Sequence, residues 1–288
     1  MKSFSLFLND LLEQESGISP NKFNWYIDNY NNKVIDYYDV ESPGIVKRNY
    51  MTGRPLSKKL TVYEYFCTLG IAHLFDATNP DCIKNMQYHS INALGFIGYQ
   101  FGEALLYDLE IYIPSKKLRQ NLLVDSYYMG GIDDKFWSAG VTEYYTYNEF
   151  LNKGIIATHV NLWEGEFKGL LGLNNFDDLK SPLIQEKIII KAFYYNLKIL
   201  KKLFNISKGI DLLTIFKENK YPESTFHELF EIYDEGILSG ILAAMHLCGP
   251  YGFYDLYSKN KINFDEFSVS IVKYIHKFSN YDVYDIFI

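Results

Sequence analysis

Cysteine is scarce. Cys67, Cys82 and Cys248 form an odd count with no close pair, which excludes a disulfide framework and a Cys-x-x-Cys metal site and leaves buried free thiols as the expectation. No apolar run has membrane-spanning length, and the short one after Lys2 is broken at Asn9 and Asp10, too early for a signal-peptide core. Positive charge is in the minority: 28 Lys and Arg stand against 35 Asp and Glu, a net charge of −7. The densest basic cluster, Lys198 with Lys201 and Lys202, fits one solvated helix face, so nucleic acid is not an expected partner. Internal repeats, low-complexity tracts and βαβ alternation are absent, as is a nucleophile elbow for Ser-His-Asp catalysis. His73 with Asp76, and His89 near Asp81, lack the spacing of a metal site, so neither metal nor cofactor is expected.

Aromatic residues are plentiful at 17%, with 26 Tyr and 21 Phe. They supply core volume, and a ring with an exposed face also suits a sugar; Trp25, Trp137 and Trp163 are the candidate platforms. Apolar positions recur mostly at helical spacing, which predicts a mainly α fold. Phe4, Phe7, Leu8, Leu11 and Leu12 mark a first helix over about 3–15, closed by Gly17 and Pro20, with a second over 21–30. Pro43, Gly44, Gly53 and Pro55 make 31–60 an irregular excursion with room for a short hairpin. Thr61 with Glu64 is a capping box opening a helix to about Phe75, and Asn79-Pro80 opens another. Further helices are predicted at 99–109, 146–153, 182–204, 210–218, 224–233, 235–247 and 265–278, with 182–204 as the central core helix. Asp133 and Asp134 read as a turn.

Glu15, in Glu13-Gln14-Glu15-Ser16-Gly17, follows Leu11 by four residues and Phe7 by eight, which places it on the apolar face of its helix. Desolvation and the negative end of the helix dipole both favour its protonated form, the state a general acid needs. The alternative is a helix-end carboxylate bonded to a nearby amide; Glu13 points to the solvated side. In Gly95-Phe96-Ile97-Gly98-Tyr99-Gln100-Phe101-Gly102-Glu103, two glycines precede a helix that starts with Tyr99 and Gln100 exposed. Gln can both donate to and accept from sugar groups, whereas a tight loop before a core helix explains the pattern equally well. Glu103, three residues after Gln100, is either the acid in place of Glu15, facing the same cleft, or a buried carboxylate that positions the loop. The small-residue stretch Ser239–Pro250 holds His246 in its last turn, read as a structural histidine or as part of a site.

The order of these segments resembles lysozyme-like lytic transglycosylases: Glu15-Ser16-Gly17 ends an N-terminal helix, Gly98-Tyr99-Gln100 opens another, and Ala243-Ala244 lies in a late helix. Gly98–Leu109, Ser239–Gly252 and Tyr274–Tyr281 are also similar to a less-studied bacterial branch of the superfamily. The resemblance implies a single lysozyme-like domain over 1–288, with 31–94 inserted between the Glu15 helix and the Gly-Tyr-Gln motif. It makes Glu15 the catalytic acid, and Gln100 and His246 cleft residues; Ser16, Tyr99 and Glu103, next to them in sequence, join Gln100 and His246 as candidate substrate-binding residues. His246 stands where the superfamily has the Asn of an Ala-Tyr-Asn motif. The implied activity is cleavage of the N-acetylmuramic acid–N-acetylglucosamine bond of peptidoglycan, and the competing class is an inactive glycan-binding or structural part of a phage or secretion apparatus. Asp28, Asp36 and Asp39 are candidates for a second carboxylate without a motif. The expected partners are a peptidoglycan strand and, for an antibacterial effector, a secretion apparatus or immunity protein. Synthesis in the cytoplasm and export by a route that reads no cleavable signal complete the expectation.

Overall fold

A computed structural model describes residues 1–42, 45–47, 49, 51, 56–114, 137–138, 141–144, 157–158, 161–205, 212–218, 224–264 and 269–287. The fold is mainly helical, and among the described residues the short antiparallel strands lie before Lys168. Two compact units result, Leu12–Lys187 and a second made of Met1–Leu11 with Ile188–Ile288. The predicted helix at 146–153 and the turn at Asp133–Asp134 lie outside the described residues.

In the unit Leu12–Lys187, the predicted excursion after the second helix (Phe23–Asp28) is a β-hairpin. Lys33–Tyr38 pairs antiparallel with Ser57–Thr61, from Lys33 opposite Thr61 to Tyr38 opposite Ser57. Thr61 ends that strand and caps the helix Val62–Thr68. Its hydroxyl accepts from the Glu64 amide and the Glu64 carboxylate accepts from the Thr61 amide, so two amides at the helix start are satisfied. The helix is shorter than predicted and gives way to a 3-10 turn, Ala72–Leu74, because Gly70 takes φ 71° just after its end. Val62, Tyr65 and Phe66 face a core shared with Ile18, Tyr26 and Met86. Cys67 lies on the outer face of this helix and is exposed, and Cys82 and Cys248 are half-buried, so the three thiols are outside any disulfide but not enclosed.

The other unit holds the longest helices. Its part of the Pro182–Leu203 helix buries Ile188, Ile189, Phe193 and Leu200. Phe7 is fully enclosed by the rings of Phe193, Phe278 and Tyr281, which ties the chain start to its end; Lys2 also bridges Tyr281 in parallel. The helix Ile237–Lys259 is longer than the predicted 235–247, running on through a kink at Gly249 and Pro250. A methyl group on Gly240 would lie 2.7 Å from the Ile275 carbonyl, so its absence lets the helix Ile271–Phe278 approach closely. By length and hydropathy the stretch Thr225–Lys259 could cross a membrane, although no such run was expected from the sequence. Its most apolar window is 67% buried inside the protein, as in the core helix of a folded unit.

Candidate active site

The first helix, Phe4–Ser16, ends at Gly17, which adopts φ 70° as left-handed helix terminators do. A Cβ on Gly17 would collide with the Tyr65 hydroxyl, which donates to the Gly17 carbonyl at 3.1 Å. Gln87 Nε2 donates to the next carbonyl, of Ile18, at 2.7 Å. Glu15 is half-buried in this pinned last turn, one turn after the buried Leu11 and Leu12. Glu13 is half-buried too, not on an open face as expected: its charge adds to the burial that chiefly raises the Tyr26 pKa, against the opposing Ser19 N–H bond. Ser16 is buried, and its hydroxyl turns back on the helix end, donating to Glu13 O at 3.5 Å and accepting from the Ile18 amide at 3.3 Å. It closes the helix and offers nothing to a substrate.

The Gly-Tyr-Gln segment meets this helix end. Gln100 Nε2 donates to the Glu15 carbonyl at 2.6 Å, joining residues 85 apart in sequence. An α-helix leaves its last four carbonyls without an internal donor, and Gln100 supplies one of them. The other end of the Gln100 amide accepts from Asn92 Nδ2 at 2.6 Å.

Two details differ from expectation. No helix starts at residue 99: the chain turns through Gly98 at φ 56° and Gln100 at φ 59°, and the helix spans only Glu103–Asp108. That turn sends Tyr99 inward, where it is fully buried and packs on Phe101 and Tyr88, so it presents no ring to a sugar. Gln185 holds the turn from behind, accepting from the Tyr99 amide and donating to the carbonyls of Tyr88 and Leu179.

Glu103 does not share a cleft with Gln100. It is 0% exposed, and its Oε1 accepts from the Tyr112 hydroxyl at 2.7 Å and the Trp163 amide at 2.8 Å. Its Oε2 is buried with no hydrogen-bond partner among the described residues. Burial raises the Glu103 pKa, the Tyr112 and Trp163 bonds oppose that, and the Glu164 charge adds to it. The unpartnered oxygen is the natural seat of the proton, since a neutral carboxyl needs one fewer donor than a carboxylate. Asn161 completes the clamp, accepting from the Glu103 amide at 2.6 Å and donating to Leu94 O at 3.1 Å. Trp163, at φ 59°, spends its indole N–H on Gly95 O and packs against Phe167 and Phe176, so it serves the clamp rather than an open platform. Glu103 is therefore the loop-positioning carboxylate, out of reach of a polymer.

Among the other named residues, Trp25 is 38% exposed with Lys22 over its ring. The Trp137 side chain lies outside the described residues. Asp28 is exposed, Asp36 pairs with Lys59 at 2.7 Å, and Asp39 sits 3.3 Å from Lys47 and 3.6 Å from Lys58. None of these aspartates is joined to Glu15 by a hydrogen bond among the described residues. His246 is half-buried in the other unit, in the helix Ile237–Lys259. No group of three His, Cys, Asp or Glu suited to a metal ion occurs among the described residues.

Asn92, Gln185 and Asn161 carry much of this arrangement and were not singled out from the sequence. Asn92-Ala93-Leu94-Gly95 does carry the signature of an Asx turn, with Gly95 at φ 78°. No family model, curated protein or solved structure matches the chain.

Proposed function

We propose that the protein is a lysozyme-like glycosidase acting on the bond between N-acetylmuramic acid and N-acetylglucosamine in peptidoglycan, with Glu15 as its acid. The observation that carries this reading is the hydrogen bond from Gln100 to the Glu15 carbonyl. It joins, across 85 residues, the Gln100 side chain to the main chain of Glu15, the two residues that the resemblance pairs, and the Glu15 side chain is half-buried at a helix end. Such a carboxyl can meet a polymer and still be partly screened from water, as proton donation to a glycosidic oxygen requires.

Glu15 protonates the bridging oxygen as the C1–O bond breaks, and positive charge builds on the muramic acid ring. The exposed or lysine-paired state of Asp28, Asp36 and Asp39 favours a route without a second carboxylate. In that route the C6 hydroxyl of the same sugar attacks C1 and gives its proton back to Glu15, leaving a 1,6-anhydro ring and a released 4-hydroxyl. An antibacterial effector delivered by a secretion apparatus, or a phage-related lysin, would use this chemistry. An effector would also call for an immunity protein in its producer.

A second reading is a glycan-binding or structural part without turnover. It is favoured by the burial of Tyr99 and by the occupation of both ends of the Gln100 amide. Incubation of purified peptidoglycan with wild type and Glu15→Gln, read by mass spectrometry, separates the two. Muropeptides from wild type alone support the glycosidase. Pelleting with peptidoglycan, without release and unaffected by Glu15→Gln, replaces it with the binding module.

A further inference from the structure

We propose that Asn92 is a positioning residue: its side-chain amide holds Gln100 in the one orientation that presents an N–H to the Glu15 carbonyl. The hydrogen bonds form a directed relay. The amides of Leu94 and Phe96 both donate to Asn92 Oδ1, at 2.9 and 3.1 Å. A backbone N–H can only donate, so the atom it meets must be oxygen, and Asn92 is left to offer its NH2 group to Gln100. Gln100 then receives that donor on Oε1 at 2.6 Å and turns Nε2 to the Glu15 carbonyl at 2.6 Å. A carbonyl only accepts, so the far end of the relay demands the same polarity as the near end. A flipped Gln100 would set donor against donor at Asn92 and acceptor against acceptor at Glu15.

The source of the relay is firmly held. The Asn92 amide donates to Phe96 O and its carbonyl accepts from Gly95, both at 2.9 Å, which closes 92–96 into a tight loop. A Cβ on Gly95 would lie 2.1 Å from Asn161 O, so that loop is packed against the Glu103 clamp without slack. Gln100 sits at φ 59°, a region that disfavours non-glycine residues, and its side-chain bonds help offset that strain.

The end of the relay is the reason to assign it more than a packing role. The next amides cannot serve the Glu15 carbonyl, because the Ile18 N–H is taken by Ser16 Oγ and the Ser19 N–H by the Tyr26 hydroxyl. Gln100 thereby helps set the peptide plane that follows Glu15, and with it the direction in which the Glu15 side chain leaves the helix. The inference rests on the glycosidase reading for what this aiming serves, whereas the relay itself can be observed without turnover.

Asn92→Asp is the discriminating variant. It keeps the oxygen that receives Leu94 and Phe96 and replaces the donor to Gln100 by an acceptor. Once protonated in acid, the new carboxyl carries an O–H and can donate again. Two measurements are made on the full chain at pH 7 and at pH 4: the NMR signals of the Gln100 side-chain NH2, and the kinetics of muropeptide release. The expected result is a displaced Gln100 NH2 signal at pH 7 that returns toward its wild-type position at pH 4. In parallel, kcat falls about 10–100-fold at pH 7, as misplacement of an acid by a fraction of an ångström commonly costs, with KM unchanged and recovery toward wild type at pH 4. A merely structural role would not yield a kcat loss that acid rescues. An unmoved Gln100 signal at pH 7 overturns the relay, even where wild type cleaves glycan. A displaced and rescuable signal in a protein whose wild type releases nothing upholds the relay and removes the glycosidase reading instead. If Asn92→Asp fails to fold, Gln100→Glu takes away the N–H offered to the Glu15 carbonyl at the far end of the relay, and is read by the Asn92 side-chain NH2 signal together with kcat at pH 7 and pH 4: a displaced signal and a kcat loss, both recovering in acid, are expected, and an unmoved Asn92 signal overturns the relay.

Discussion

Replacing Glu103 by alanine removes the acceptor shared by the Tyr112 hydroxyl and the Trp163 amide, at a position with no access to water. Each buried donor left without an acceptor costs about 1–3 kcal/mol, and the void left by the side chain adds to that. Because the Tyr112 hydroxyl also accepts from the Gly165 amide and remains tethered, we expect a total of about 3–5 kcal/mol. At about 3 °C per kcal/mol for a unit of this size, the Tm falls by roughly 10–15 °C. Glu103→Gln keeps an oxygen for both donors and puts an NH2 group where Oε2 now has no partner, so its loss is smaller, about 1–2 kcal/mol. The pair also differs from wild type in pH dependence. Burial raises the Glu103 pKa above that of the unfolded chain, so the folded protein holds this proton more tightly. The stability linked to that proton is complete below the ordinary carboxyl range and is lost as pH rises through the raised folded pKa. Between the two pKa values the loss is up to about 1.4 kcal/mol per pH unit. Urea unfolding of the three proteins from pH 4 to pH 8 reads all of this. A falling limb in wild type that is absent from Glu103→Gln is expected. The same limb in both proteins, or an alanine variant within about 1 kcal/mol of wild type, would refute the account of the clamp.

Other substitutions probe the parts that carry the site. Gly98→Ala places a methyl group 1.9 Å from Gln185 Oε1 at φ 56° and should cost more than about 2 kcal/mol in urea unfolding. Gly70→Ala, at φ 71° but with nothing within 4 Å, should cost only the backbone strain of about 1 kcal/mol. Thr61→Ala dismantles the capping box and should lose about 0.5–2 kcal/mol, with Thr61→Ser recovering most of it. Lys59→Ala breaks an exposed pair with Asp36 and should leave stability within about 0.5 kcal/mol of wild type, since such pairs contribute little.

Local signals were legible in the sequence to the degree that one element could act alone. The capping box at Thr61 and Glu64 needs only residues three apart, and it forms as read. The helix Pro182–Leu203 was bounded by its proline and by unbroken 3.6-residue periodicity to within a residue. Tyr99 failed because two breaks in helical geometry, at Gly98 and Gln100 on either side of it, turn the ring inward, and a positive φ at glutamine has no composition signal. The Glu103 clamp was legible only as one of two alternatives: its partners Asn161 and Trp163 lie 58 and 60 residues away, in the non-helical stretch from Asn161 to Gly169. The order of motifs singles out Glu15 and Gln100 but not the bond from the Gln100 amide to the Glu15 carbonyl, and Asn92, which meets the other end of that amide, belongs to a turn whose amide chemistry emerges only when the loop is closed.

The central claim is that Glu15 is an acid acting on a glycan, and digestion of purified peptidoglycan by wild type and Glu15→Gln tests it most directly. The account predicts muropeptides with 1,6-anhydro ends from wild type and none from Glu15→Gln, with both proteins equally folded. Equal release by the two proteins, or none by either, would contradict it.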